Sequence, residues 1–206
     1  KEDKYTALNN AAFNSGIFIY VPRNLILEKP IHIVSSLSVD GASTISRNVI
    51  VTEDNSKASI VQELYAPKTS HQQAYLELLN VSVGQNSQLD GTTLQIMDNS
   101  AVNFSTRKSN IAQDGKINWY LGLFGAMLSR YRIDYYLNGS GASANDSEVV
   151  FGNDNQSFDL SSNVNHEKPS TEARVIEKSI LKDKSKSLFK GMIRIKEHAS
   201  KSNSFL

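Results

Sequence analysis

Short apolar segments recur along the whole chain, and this recurrence constrains its fold more than any other feature. The run IFIYV at 17–21 is typical: it is too short for a helix and rich in β-branched and aromatic residues, so it predicts a buried strand. Clusters of Asn, Asp, Gly and Ser separate the runs, and these residues favour turns because they accept positive φ or bond to nearby backbone. We predict strands at residues 17–21, 31–34, 44–51, 58–64, 74–83, 92–97, 101–104, 116–121, 127–137, 148–151, 174–181 and 188–195.

Only the start of the chain predicts a helix, which ends near Gly16. Its expected apolar face consists of Ala7, Leu8, Ala11 and Ala12. We therefore expect a helical lead-in at residues 1–16, followed by a β-rich core domain at residues 17–206.

Many short strands at nearly even spacing are compatible with a β-sandwich, a β-barrel or a β-solenoid. Sandwiches favour two-residue hairpin turns, whereas most gaps in this chain are longer and irregular. Continuous apolar runs such as 17–21 suit strands enclosed in a stack of coils. The residues alone favour the solenoid only slightly, so all three architectures stay open at this point.

Composition excludes several classes of function. The 22 Lys and Arg residues nearly balance the 21 Asp and Glu residues, and the formal net charge of +1 gives no electrostatic reason to expect nucleic acid or a membrane surface as a partner. The chain has no cysteine, which excludes disulfides, a thiolate nucleophile and thiolate metal ligands. No apolar run approaches the ~20 residues of a membrane-spanning helix.

Sequence motifs for catalysis or metal binding are absent. No glycine-rich loop ends in Gly-Lys-Ser/Thr, and the carboxylates are spread singly rather than paired for acid–base catalysis. The four histidines, His32, His71, His166 and His198, have no partner at metal-ligand spacing. His166 is the best candidate for a functional role because it lies in an expected polar turn beside Glu167. We therefore predict no catalytic, cofactor-binding or metal-ligating residue, and His166 as the candidate functional residue.

Four segments, in order along the chain, resemble the SufB/SufD family of iron–sulfur cluster assembly proteins. The first, at 7–33, has the family's pattern of Ala-Leu-Asn, a small-residue helix end, Gly, a strand ending in Val-Pro, a polar bend and a Pro before the next strand. The others are ASIVQELYAP at 58–67, GAMLSRYRIDYYLNGSGA at 125–142, and a late signature at 165–205. The matching positions are Ala7, Leu8, Asn9, Gly16, Val21, Pro22, Pro30, His166, Pro169, Lys178, Phe189, Gly191 and Ala199.

The resemblance implies an all-β, right-handed parallel β-helix with a short N-terminal helical segment. It also implies a cytoplasmic, non-catalytic scaffold that works in a SufBCD-type complex with the SufC ATPase and a SufB-type subunit, or as a homodimer. The iron–sulfur cluster would belong to the assembled complex, and this chain alone would bind no cofactor. Family members continue beyond the position of Leu206 with a helical region that docks SufC, so we expect that C-terminal helical region to be missing here.

One position separates the two branches that the resemblance leaves open. The SufB-like branch carries a cysteine in the strand before Ala66 and Pro67, at the place where this chain has Leu64. A leucine side chain can neither coordinate iron nor carry persulfide sulfur, so we interpret the chain as SufD-like. Two hypotheses from other classes are a β-helical polysaccharide-active enzyme of the pectin lyase type and a purely structural solenoid.

The last expected strand, at 188–195, would form the uncovered end of a stack of coils. An edge strand exposes unpaired backbone groups and invites pairing with another chain. We predict a subunit interface, or self-association, at Gly191, Met192, Ile193, Arg194, Ile195 and Lys196. Period-two geometry is expected to place Met192, Ile193 and Ile195 inward and Lys190, Arg194 and Lys196 outward.

Overall fold

The structure, a computed structural model, describes residues 3–206, so Lys1 and Glu2 of the expected lead-in lie outside the described residues. The described residues form one helix and fourteen strands. The elements are α1 (Lys4–Ala12), β1 (Phe18–Val21), β2 (Ile31–Ser36), β3 (Ser43–Thr52), β4 (Lys57–Ala66), β5 (Gln73–Val83), β6 (Gln88–Met97), β7 (Ala101–Ile111), β8 (Lys116–Gly125), β9 (Leu128–Leu137), β10 (Ser143–Gly152), β11 (Ser157–His166), β12 (Glu172–Leu181), β13 (Lys186–Ile195) and β14 (Asn203–Phe205).

Successive strands alternate between two seven-stranded sheets. The odd-numbered strands form sheet A, from β1 to β13, and the even-numbered strands form sheet B, from β2 to β14. Every strand pairs in parallel with the strand two places along the chain, so each coil contributes one strand to each sheet. The expected parallel β-helix is confirmed, and the sandwich and barrel alternatives are wrong.

Side chains alternate between the interior and the outer surface along each strand. In β4, for example, Ala58, Ile60 and Leu64 are buried while the residues between them are partly exposed. Inward-facing side chains of the two sheets meet in an apolar core that runs from Val21 in the first coil to Val175 near the last. Because this core is continuous, it holds the strands of both sheets in place from one end of the coil to the other.

The asparagine turns stack directly on one another. Asn24, Asn55 and Asn86 have φ values of 62°, 57° and 54°, a left-handed conformation that Asn adopts more readily than most residues. The Asn55 side-chain amide donates to Asn24 Oδ1 at 3.1 Å, and the Asn86 amide donates to Asn55 Oδ1 at 3.0 Å. The prediction that polar clusters form positive-φ turns is confirmed here, and the amide ladder keeps three coils in register.

Helix α1 packs on the outer face of sheet A with a different side from the one that the sequence predicts. Tyr5 stacks on Phe104 of β7 with ring centroids 4.6 Å apart. The Asn9 amide donates to the Ser46 carbonyl at 2.8 Å. These contacts turn the polar side of the helix toward the sheet and leave the expected apolar face exposed, which corrects the prediction for Ala7, Leu8, Ala11 and Ala12.

Strand β11 has no counterpart among the predicted strands. Its inward-facing apolar residues are only Phe158, Leu160 and Val164, and Ser162 occupies another buried position between them. The polar composition suggests a turn, yet β11 is held between β9 and β13 by two complete parallel ladders. Pairing on both sides therefore decides its conformation.

Candidate functional site

The predicted interface strand lies at the uncovered end of the β-helix. β13 pairs with β11 on one side and is the last strand of sheet A. In the ladder Ile193 lies beside Val164 and Ile195 beside His166, so both isoleucines continue the interior face. They are 36% and 52% exposed, whereas Val164 and His166 are 1% and 0% exposed. Among the residues that the structure describes, no further coil covers this strand.

Met192 does not share the inward orientation expected for it. The ladder places Met192 beside Asn163, whose amide donates to Asp134 Oδ1 at 2.7 Å on the outer face of sheet A. Met192 lines an open depression on that face together with Lys190 and Arg130. The correction follows from the alternation itself, because Met192 is an odd number of residues from Ile193 and Ile195.

His166 is the last residue of β11 and is fully buried, rather than lying in a polar turn. Its Nδ1 lies 2.6 Å from Thr171 Oγ1 and its Nε2 lies 2.5 Å from Ser204 Oγ. Burial lowers the pKa of His166, which favours a neutral ring that bonds to hydroxyls on both sides. The geometry fits a clamp between the last coil and β14, and the functional role of His166 stays a prediction.

A buried ionic cluster lies in the interior between the two sheets. Arg107 of β7 contacts Glu77 of β5 through Nε and Nη2, at 3.1 Å and 3.0 Å from Oε2. The Arg107 guanidinium also donates to Thr93 Oγ1 at 2.8 Å and to Gln62 Oε1 at 2.9 Å. Burial alone would lower the pKa of Arg107, but the charge and hydrogen bond of Glu77 act together with Tyr131 and Tyr75, and the pKa is raised. The guanidinium is therefore a permanent cation inside the coil.

Aromatic rings extend this cluster along the axis. The guanidinium carbon of Arg107 lies 5.1 Å from the centre of the Trp119 ring and 5.5 Å from that of Tyr131, which adds cation–π attraction in a site without solvent. Tyr131 donates to Gln95 Oε1 at 3.3 Å, and Gln95 in turn donates to Ser129 Oγ at 2.7 Å. A polar network, joined through the contact of Arg107 with the Tyr131 ring, thus runs through the otherwise apolar interior of the middle coils.

An acidic layer follows toward the C-terminal end. The hydroxyl of Ser162 lies 3.0 Å from Asp146 Oδ2 and 2.9 Å from Glu148 Oε1, and both carboxyl groups are buried. Burial raises the pKa of Asp146 to about 6, and burial together with Asp146 raises the pKa of Glu148 well above its ordinary value. Because Ser162 has one proton to donate to two acceptors, a protonated carboxyl group completes this layer best.

Neither the ionic cluster nor the acidic layer is predicted by the sequence patterns above. Glu77 and Arg107 are 30 residues apart, and the stacking of coils brings them into contact in paired strands. Asp146 and Glu148 lie two residues apart on the inward face of β10, which corrects the expectation that the carboxylates are spread singly. One usable signal exists: Glu77 and Arg107 each occupy an inward-facing position of their strand's alternation, where apolar residues are expected. Within residues 3–206, no group of three or more His, Cys, Asp and Glu side chains is placed to hold a metal ion. The described helix is also too short to span a bilayer.

Comparison with known proteins gives a consistent result. The model of the family "SUF system FeS cluster assembly, SufBD core domain" matches residues 34–206. The chain is similar to proteins described as iron–sulfur cluster assembly SufBD family proteins: it is 26% identical over 192 residues to one from Staphylococcus saprophyticus, 25% identical to one from Staphylococcus epidermidis and 24% identical to one from Staphylococcus haemolyticus. Each match covers 93% of this chain and 41% of the relative. The chain therefore spans about two-fifths of the length of these relatives.

Proposed function

Because the chain belongs to the SufBD core domain family of the SUF system for iron–sulfur cluster assembly, we propose that it is a SufD-like, non-catalytic scaffold subunit of a SufBCD-type complex. Its partners are a SufB-type subunit, or a second copy in that place, and a SufC-type ATPase. The cluster is the cargo of the assembled complex and is not bound by this chain alone. The complex acts in the cytoplasm.

The observation that carries this proposal is the family match, which extends from within β2 to the end of the chain. The fold supports it, because a stack of parallel coils offers a rigid platform with a templating edge at each end. At β13 that edge combines unpaired backbone with the partly exposed Ile193 and Ile195. Such a strand fits a partner that adds its own strand to the sheet.

Leu64 supports the assignment to the SufD-like branch. Its side chain is 1% exposed and packs in an apolar cluster with Tyr75 and Met97. At the position where the SufB-like branch has a cysteine, this chain therefore has a buried leucine, whose side chain cannot bind iron or sulfur.

The buried charges support a non-catalytic role. Arg107, Glu77, Asp146 and Glu148 are all buried inside the coil. A polysaccharide-active enzyme needs carboxylates on a face that sugar can reach. That alternative is not favoured by the position of these residues or by the family match.

A pull-down with the SufB-type and SufC-type proteins of the same genome tests the proposal. We expect the chain to retain the SufB-type subunit, and to retain the ATPase only when that subunit is present. Ile195→Asp should weaken retention because it places a charge on the interior side of the edge strand. Val39→Asp is the matched control, since Val39 is 64% exposed and lies outside β13.

Retention that Ile195→Asp leaves unchanged would show that the docking surface is elsewhere, and tight binding of SufC by this chain alone would contradict the proposed order of assembly. Anaerobic reconstitution with iron and sulfide gives a second test. We expect no stoichiometric cluster on the isolated chain, and sulfide-to-iron charge-transfer bands in the visible spectrum would contradict this.

A further inference from the structure

The outer face of sheet B carries an extended apolar patch, which we call the sheet-B patch. It lies on the second half of the strands from β4 to β12, and neighbouring strands align its residues in rows. One row consists of Tyr65, Ile96, Phe124, Phe151 and Ile180. Phe124, Phe151 and Ile180 are 37%, 40% and 62% exposed. Contiguous apolar patches of this kind are rare on monomeric soluble proteins and usually mark interaction sites.

On sheet A, helix α1 covers part of the outer face where apolar residues lie. Leu76 and Leu78 of β5 point outward there but are only 8% and 3% exposed, and Tyr5 of α1 stacks on neighbouring Phe104. The helix covers that region. Within residues 3–206, no helix contacts sheet B in the same way. The sheet-B patch is therefore an apolar outer surface that no helix of the described residues covers.

Charges at the two ends of the patch indicate what covers it. The row beside the aromatic one runs from Glu63 on β4, through Gly122 on the central strand β8, to Lys178 on β12. At the start of the same strands, Lys57 on β4 aligns with Glu172 on β12. In one row β4 is negative (Glu63) and β12 positive (Lys178). In the other row β4 is positive (Lys57) and β12 negative (Glu172).

This arrangement is self-complementary about Gly122. A twofold axis along β8 lays β4 of one copy over β12 of the other, so Glu63 meets Lys178 and Lys57 meets Glu172, each pair twice. Within the described residues 3–206, Lys57, Lys178 and Glu172 form no ion pair. Closed twofold contacts of this isologous kind are the commonest form of oligomer.

Packing between the charges follows the same symmetry. The axis sets Tyr65 against Ile180, Ile96 against Phe151, and Phe124 against its own copy. A side chain at Gly122 would meet Phe124 Cε2 at 3.0 Å and Leu94 Cδ1 at 3.3 Å, so apolar groups already close over the glycine. One contact opposes the arrangement: Lys116 meets its own copy, at the solvated rim where salt screens repulsion.

Two neighbouring side chains form hydrogen bonds with the Glu63 carboxylate. His32 Nε2 lies 2.6 Å from Glu63 Oε1, and the Tyr65 hydroxyl donates to Oε2 at 2.5 Å. The bonds from Tyr65 and His32 lower the pKa of Glu63, so the carboxylate is ionised at neutral pH. Each carboxylate oxygen still has a lone pair for an incoming ammonium group.

We propose that two copies of the chain pair face to face through the sheet-B patch, with Glu63 of each copy against Lys178 of the other. Two sheets pack in this way about 10 Å apart, with their strands nearly aligned. This contact is separate from the edge of β13 and goes beyond the proposed scaffold function.

Sedimentation velocity of the full chain over a range of concentrations tests the proposal. We expect a monomer–dimer equilibrium, which Glu63→Lys and Lys178→Glu each weaken by about tenfold or more, because each change makes two like-charge contacts. An equimolar mixture of the two variants should recover the dimer, since both contacts are then attractive in the mixed pair. Phe151→Asp should abolish it, with circular dichroism confirming the fold.

The control variants are Val39→Asp, outside the patch, and Ile195→Asp, at the β13 edge; both should leave this dimer unchanged. A chain that stays monomeric at every concentration overturns the proposal, and so does a dimer that Lys178→Glu does not weaken or that the mixture fails to restore. Loss of the dimer with Ile195→Asp alone would place self-association at the edge. Loss of the face-to-face dimer alone leaves the proposed binding of the SufB-type subunit at β13 unaffected, so the two proposals can fail independently.

Discussion

The Trp119 ring occupies the space that a side chain at Gly91 would need. The two residues lie opposite each other in neighbouring strands β6 and β8, and a Cβ atom on Gly91 would lie 1.8 Å from Trp119 Cζ3. Trp119 is 2% exposed and lies beside Arg107. The absence of a side chain at Gly91 therefore determines where the largest ring of the interior can lie.

We expect Gly91→Ala to destabilise the protein by about 3 kcal/mol, the upper end of overpacking costs, because the Trp119 ring has to leave its site. Urea unfolding followed by circular dichroism measures this. Gly152→Ala is the control, since its nearest contact would be 3.0 Å to the edge of the Phe158 ring. Trp119→Leu in the Gly91→Ala background should recover part of the loss, and equal effects of the two glycine changes would contradict this account.

Removal of one partner of the Arg107–Glu77 pair should cost about 3–5 kcal/mol, because it leaves an uncompensated charge in the interior. Arg107→Met and Glu77→Gln are the single changes, and their combination should cost less than the sum, which a double-mutant cycle in urea reports. Arg23→Met removes a solvent-exposed partner of Asp54 and should change stability little. Additive single effects would show that the two side chains do not interact.

The acidic layer should make stability depend on pH. The folded state raises the pKa of Asp146 from 3.8 to about 6, so it holds a proton that the unfolded chain releases between these values. The free energy of unfolding should therefore fall as the pH rises from about 4 through 6, by up to about 1.4 kcal/mol per pH unit for each such group. The raised pKa of Glu148 extends the decline to higher pH.

Asp146→Asn and Glu148→Gln should flatten this dependence and stabilise the protein at neutral pH relative to the wild type, as urea unfolding at a series of pH values can show. Asp159→Asn is the control because Asp159 lies on the outer face and pairs with Lys190. A wild-type profile that rises over this pH window would contradict the assignment of a buried, protonated carboxyl group.

His166→Ala should release the last strand. The loss of the two hydrogen bonds to Thr171 Oγ1 and Ser204 Oγ should cost about 1–3 kcal/mol in total, at about 0.5–1.5 kcal/mol per bond, and amide hydrogen exchange at 203–205 should quicken. Because burial lowers the pKa of His166, the stability from this residue should be complete above pH ~6.5, the unfolded value, and decline as the pH falls below it. His198→Ala, at an exposed position, should change neither observable.

Asn55 stabilises its turn in two ways, through the side-chain bonds of the ladder and through its left-handed backbone conformation. Asn55→Ala should lose the ladder bonds and should also put alanine, which tolerates the left-handed region less well than asparagine, at a positive φ, for a total cost of about 1–2 kcal/mol. Asn55→Gly should lose only the bonds and therefore cost less, as thermal or urea unfolding can show. An alanine variant as stable as the glycine variant would show that backbone conformation does not limit this turn.

Local chemistry made the fold class predictable. Inward and outward alternation, as in Ala58 and Ile60, and the positive φ of Asn55 and Asn86 depend on neighbours one or two places away in the chain. Every strand predicted from these patterns is found in the structure, and only the polar β11 and the short β14 were not predicted. The family resemblance then distinguished the β-helix from the other β architectures.

Contacts between coils decided which side chains meet in the interior and at the ends of the stack. Neighbouring coils place Asn55 31 residues after Asn24 but Asn145 only 27 residues after Asn118, so no constant period shows which residues meet. The contact of Arg107 with Glu77, the burial of His166 against Ser204 and the outward orientation of Met192 all depend on that register. The sequence by itself determined that strands would alternate and turn, whereas the stacking of coils determined which charges are buried together, because burial is a property of the neighbours across the sheet.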